Sequence, residues 1–224
     1  KRLWVRGLRE MEEDAGVTMS RCVRPEGAIG EPSLAGFRSA STSAMCAVVY
    51  VVWDAAPQQE ARLILGKVRV APIHGTSVPR AELQAMVMLV RIITIVLRAA
   101  AFTCNRVSLA TDSACCIADI NRPGATLHPS FANRVAEITH SLTELRQEFE
   151  GEIESFSHIE GKLNPADVGT RPGIRLSSLG PGSKWQAGPE FLKMPRDRWP
   201  LKNRVYAKVP KEEVRRRPLS LMRT

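Results

Sequence analysis

The sequence predicts an α/β fold: a mixed five-stranded sheet flanked by helices. Three observations point there. Short runs rich in β-branched residues, separated by turn residues, fill the stretch from Phe37 to Ala71. Two longer stretches, Pro79 to Ala101 and Phe131 to Glu150, carry apolar residues at helical spacing. Strand signals return between and after them, so helices and strands alternate. A chain of 224 residues can bury a core without disulfides or metals. Two Tyr, four Trp and six Phe make that core mainly aliphatic.

Residues 1–15 read as a short amphipathic helix, with Leu3, Trp4, Leu8 and Met11 on one face. Residues 16–34, with frequent Gly and Pro, read as a connector. Phe37 to Ser41 is a short strand, and Ala44 to Trp53 is a Val-rich strand of the buried kind. Pro57 to Gln59 marks a turn. Arg62 to Ala71 has the alternation of a strand with two unlike faces. Three strands on short loops make an antiparallel meander. Pro79 then opens a long helix, whose Leu83, Met86, Val87, Val90, Ile93, Ile95 and Leu97 nearly encircle it. Arg106 to Ala110 is a strand ending at Thr111-Asp112-Ser113, where a helix can start. Phe131 to Glu150 is the second long helix, Ile153 to Ile159 a strand, and Asn164-Pro165 opens a last short helix. After Pro172 the chain is rich in Gly and Pro and is expected to wrap the domain surface. The expected organisation is residues 1–34 as helix and connector, 35–172 as the domain, and 173–224 as wrap and basic tail.

Composition narrows the functional classes. The apolar stretch from Met86 to Phe102 is interrupted by Arg91 and Arg98, so it does not read as a membrane span. No secretory signal opens the chain. It begins at Lys1, as expected of a processed piece or part of something larger. The five cysteines form no CxxC pair and have no His at metal-ligand spacing; they read as reduced, mostly buried thiols, which suits a reducing, intracellular compartment. The net charge is +9, and Lys193 to Thr224 holds 11 Lys/Arg against 3 Asp/Glu. The body is close to neutral and the charge sits in a basic arm. Arg198, Lys202, Arg204, Lys208, Lys211, Arg215, Arg216 and Arg217 are its candidate phosphate contacts; a merely solvated tail has the same composition.

Three acids occupy special places: Glu82 in the first turn of the long helix, Asp112 at a strand's C-terminal end, and Asp167 in the final short helix. Such positions can converge on one edge of a sheet. Carboxylates gathered there would take Mg²⁺ or Mn²⁺ through oxygen ligands, and a pair of such ions suits phosphodiester cleavage. Ordinary roles also remain open: Glu82 and Asp167 as partners of helix dipoles, Asp112 as an N-cap.

Several segments carry a resemblance. Val78-Pro79-Arg80-Ala81-Glu82-Leu83-Gln84 resembles the "PRLEL" motif of BEL/Pao LTR retrotransposons, and Gly66 to Pro72 resembles the family's "AKSRVAP". Thr111-Asp112-Ser113 is similar to its "WTDS", Phe131 to Ile138 to "FVANRVAEI", and Gly161 to Asp167 to "GKLNPAD". Trp185 to Leu192 resembles "WWxGPxFL", followed by Trp199-Pro200. The motifs run in order along nearly the whole chain. In that family the region is the ribonuclease H segment of the polyprotein, between reverse transcriptase and integrase. The resemblance therefore implies a ribonuclease H-like mixed sheet. It also implies that Glu82, Asp112 and Asp167 are metal-binding catalytic carboxylates acting on an RNA–DNA hybrid.

The sequence departs from that pattern at one telling place. The family's first strand carries a fourth carboxylate in "FxDAS"; here the run is Phe37-Arg38-Ser39-Ala40-Ser41, with Ser39 in place of the Asp. A hydroxyl there removes a full negative charge from a site built for dications. Asp54, after the second strand, is expected on the far side. Ala110 replaces the aromatic of "WTDS", and Cys46 stands at the Gly of "AYGAVVY". Lys162 stands where many ribonucleases H place a mobile His; His158 reads as an ordinary strand residue. Three readings follow. The first is a catalytically degenerate module that binds RNA or an RNA–DNA hybrid, alone, beside polyprotein neighbours, or in a larger ribonucleoprotein such as an organellar ribosome. The second is an active Mg²⁺- or Mn²⁺-dependent ribonuclease H. The third is a protein-interaction scaffold without nucleic acid.

Overall fold

A computed structural model describes residues 9, 18–72, 76–100, 102–122, 127–174 and 176–202. The expected N-terminal helix and the basic residues Arg204, Lys208, Lys211, Arg215, Arg216 and Arg217 lie outside the described residues.

The strands are β1 (Ile29–Ala40), β2 (Ala44–Asp54), β3 (Glu60–Val70), β4 (Arg106–Thr111), β5 (Glu152–Ile153) and β6 (Ser157–His158). The helices are α1 (Val78–Ala99), α2 (Ala114–Ile120), α3 (Pro129–Glu148) and α4 (Lys184–Ala187). The sheet order is β3-β2-β1-β4-β5, with β6 also on β4. β1–β2 and β2–β3 pair antiparallel, while β1–β4, β4–β5 and β4–β6 pair parallel. This is the mixed, helix-flanked sheet read from the sequence, with six strands rather than five.

The sixth strand arises from a break. Val107 pairs with Ile153 and Ala110 with Ser157, so residues 153–157 hold one residue more than the β4 segment they face. An inserted residue interrupts a ladder locally, and the single strand expected from Ile153 to Ile159 becomes two. The start of β1 also differs. It begins at Ile29, inside the expected connector, with Gly30 at φ 66° and a register shift before Ser33. On β3, Tyr50 pairs with Leu63 and Val49 with Leu65. The bulge at Ile64 breaks the regular alternation expected there, so Leu63 and Leu65 pack into different clusters.

β2 is buried from Met45 to Trp53, and its residues alternate between two cores. Met45, Ala47, Val49, Val51 and Trp53 face α1 and α3; Cys46, Val48, Tyr50 and Val52 face the C-terminal segment. α1 buries Leu83, Met86, Val87, Val90 and Ile93, while Ile95 is exposed. α3 adds Phe131, Val135, Ile138, Leu142 and Leu145. The second core is completed late in the chain. Phe191 packs edge-on against Phe37 at 6.0 Å and against Trp199 at 6.1 Å. Tyr50 Oη donates to the Trp185 carbonyl at 2.9 Å, and Gly66 leaves room for the Trp185 ring on β3. The Gly/Pro-rich stretch thus forms part of the core. Its last described residue, Lys202, pairs with His158 through two backbone bonds of 2.8 and 2.9 Å, extending the sheet past β6.

None of the five cysteines is in a disulfide, and Cys46, Cys104 and Cys116 are buried. Burial pushes each of those three thiols up to about 12. Among the described residues no helix is long and apolar enough to cross a membrane.

Candidate carboxylate site

β1 and β4 run parallel with Phe37 opposite Ala110 and Arg38 opposite Thr111. Ser39 and Asp112 are therefore the next residues on neighbouring strands, at the carboxyl edge of the sheet. Thr111 Oγ1 accepts from the Ser113 N–H at 3.0 Å. Ser113 caps α2 by accepting from the Cys116 N–H, and its hydroxyl donates to Glu82 Oε2 at 2.6 Å. One serine thereby ties α1, α2 and the end of β4 together. Glu82 sits past the first turn of α1, not in it as the sequence suggested. The helix starts at Val78 with no acid in its first turn, so Glu82 lies beyond the free N–H groups that reward a negative charge.

Asp167 lies in the expected short helix, which is a 3₁₀ turn, Pro165–Thr170. Asn164 fixes that turn, accepting from the Ala166 N–H and donating to the Arg38 carbonyl at 2.8 Å. Ser41 Oγ adds a bond to the Thr170 carbonyl at 3.2 Å. The turn is thus anchored at the end of β1 that carries Ser39. Gly161 crosses close to Asp112. Gly169 packs against Cys46: a Cβ there would lie 2.9 Å from the Cys46 Cβ and closer still to its sulfur. Gly169→Ala is expected to cost about 1–3 kcal/mol. The double change with Cys46→Gly should recover most of it, read as midpoints in urea.

Two of the three acids are engaged by internal partners. Arg171 Nε donates to Asp167 Oδ2 at 2.9 Å, and its terminal nitrogen closes on the same oxygen. Glu82 takes the Ser113 hydroxyl. Asp54 pairs with Ile29, at the opposite end of β1 from Ser39. Lys162 pairs with Glu160 at 3.2 Å. Among the described residues no three His, Cys, Asp or Glu side chains are grouped as a metal site. With a neutral residue at 39 and a guanidinium on Asp167, this donor set does not fit a pair of divalent ions.

Two features escaped the sequence reading. Arg38 is completely buried, and none of its three guanidinium nitrogens has a hydrogen-bond partner among the described residues. It acts on Cys116, whose thiol is raised by burial, pulled back by Arg38, and raised further by Glu82. An arginine following Leu34 and Gly36 on an inward face was the only signal available. The second feature is a groove of about 420 Å³ beside the start of α1, lined by Arg69, Thr76, Arg80, Gln84, Ser130 and Arg134. None of the described residues lining it is acidic. Arg134 is held by Gln84 Oε1 at 2.9 Å and the Ser130 carbonyl at 2.7 Å, and Arg80 lies over the Phe131 ring. These arginines come from three separate segments, so no motif unites them. Arg198 and Lys202 are exposed; Arg198 and Lys162 share a second groove with Trp185.

Several solved structures are similar. The chain is 14% identical to RNase H1 from the archaeon Halobacterium salinarum NRC-1, covering 61% of this chain and 91% of that one, with a TM-score of 0.38. It is 10% identical to the N-terminal RNase H domain of a Mycobacterium tuberculosis protein, covering 60% and 86%, with a TM-score of 0.38. It is 14% identical to LC11-RNase H1, isolated from compost by a metagenomic approach and solved with an RNA/DNA hybrid; coverage is 61% and 91%, and the TM-score 0.39. No curated protein matches significantly in sequence. A family model described as the Pao retrotransposon-like RNaseH-like domain matches residues 1–113, a span that includes Ser39, Glu82 and Asp112. The chain belongs to the family of Pao retrotransposon-like RNaseH-like domains.

Proposed function

We propose that this chain is a nucleic-acid-binding ribonuclease H-like module whose metal-dependent cleavage has been lost. The observation that carries the reading is Ser39, one step beyond the Arg38–Thr111 pair and beside Asp112. Phosphodiester cleavage by two ions depends on carboxylates that hold both against their mutual repulsion. Here that position is neutral. Glu82, Asp112 and Asp167 then serve the architecture of the edge rather than catalysis.

Binding has separate support. The three-arginine groove next to Glu82 can take phosphate oxygens. Arg198 and Lys202 are exposed, and Arg204, Lys208, Lys211, Arg215, Arg216 and Arg217 add further positive charge to the chain after them. The partner under this reading is RNA or an RNA–DNA hybrid, met by the chain alone or within a larger ribonucleoprotein. The test is a labelled RNA–DNA hybrid incubated with the protein and Mn²⁺. Salt-sensitive retention without cleavage is expected. Robust cleavage that disappears in Asp112→Asn would overturn the reading in favour of a working nuclease, and no retention at low salt would favour a protein scaffold.

A further inference from the structure

We propose that Arg38 and Arg171 take the electrostatic place of divalent cations at this edge. The inference rests on the reading of Ser39 as a loss of metal-dependent cleavage. It adds that restoring the carboxylate alone does not restore metal binding.

A guanidinium does not give up its proton in a protein, so Arg38 carries a full positive charge. That charge is 0% exposed, and its nitrogens lack hydrogen-bond partners among the described residues. An isolated buried charge is strongly disfavoured. It is tolerated only where nearby negative charge balances it through space. The fold provides that charge. Arg38 and the acids Glu82 and Asp119 all act on the Cys116 thiol of α2, and Asp119 is itself buried. Asp112 follows Thr111, the residue opposite Arg38. Arg38 thus brings a fixed positive charge to the same α2 thiol that Glu82 and Asp119 act on, from the strand position opposite Thr111.

Arg171 brings a second positive charge, directly onto Asp167. It holds Asp167 through two nitrogens on one oxygen. Its side chain is 67% exposed, so solvent weakens its effect relative to Arg38. A dication approaching the edge meets one buried positive charge and must displace another. Both terms oppose it whether or not residue 39 is acidic.

The experiment is Mn²⁺ titration of the full chain, read by the paramagnetic resonance of free Mn²⁺ and by the melting temperature in Mn²⁺ against EDTA. The variants are Ser39→Asp alone, Ser39→Asp with Arg38→Met, and Ser39→Asp with Arg171→Gln. The unaltered chain and the single variant should show no saturable binding at millimolar Mn²⁺. Relieving Arg38 should tighten binding by about tenfold or more, and relieving Arg171 by about threefold, in line with burial against exposure. Binding by Ser39→Asp alone as tight as by the double variants would overturn the proposal, as would saturable binding by the unaltered chain. If the Arg38→Met variant does not fold, the exposed Arg171→Gln arm decides: a gain supports the proposal and no gain overturns it. The reading of lost cleavage fails separately, if the unaltered chain cuts the hybrid.

Discussion

Phe191→Ala is expected to destabilise the protein by about 3–5 kcal/mol, the usual cost of emptying a buried aromatic site. In a domain of this size that lowers the melting temperature by roughly 10 °C. Phe191 is 8% exposed and bridges two rings, Phe37 on β1 and Trp199 near the last described residue. Removing it opens a hole between the sheet and the C-terminal segment and strips the outer cover from Phe37. Met194→Ala, at a residue 45% exposed in the same segment, should change stability by less than about 0.5 kcal/mol. Equal melting temperatures for the two variants would mean that the segment after Pro172 only decorates the surface.

The second large effect concerns binding. Arg69→Gln combined with Arg80→Gln should weaken retention of an RNA–DNA hybrid roughly sixtyfold in about 0.1 M salt. Each phosphate contact releases counterions worth about 0.9 in the slope of log affinity against log salt. At that salt one contact is worth about eightfold. The slope itself should therefore fall by about 1.8 in the double variant. Both side chains are exposed at the groove rim, so the melting temperature should barely move. An unchanged slope with intact folding would remove the groove from the nucleic-acid surface. Arg134 is a poor choice for this measurement, because its bonds to Gln84 and the Ser130 carbonyl join α1 to α3.

The readable parts of this fold share a cause. The valines of β2, the apolar wrap of α1 and the stripe of α3 are regular patterns, and burial rewards regular patterns directly. What escaped was irregular. Gly30 and Pro32 disguised the first residues of β1, where φ is positive at Gly30 and pairing slips before Ser33. The bulge at Ile64 and the extra residue between Ile153 and Ser157 each change which face a side chain meets, and spacing alone cannot announce them. The same holds for the site. Ser39 was legible because it stands in a run that resembles a motif. Arg38, its neighbour, turns to the other side of the sheet, and its lack of partners exists only in three dimensions. Arg171 meets Asp167 one turn away, which spacing permits but does not require.

The bridge between His158 and Lys202 sets the address of whatever follows it. Those two backbone bonds fasten the chain beside Thr111, the residue before Asp112. Positive groups attached after residue 202 are thereby leashed to the acidic edge. A ligand seated there meets them at an effective concentration set by the tether, not at the concentration of free protein. Loosening this fastening while keeping every charge would lower avidity without altering a single contact group.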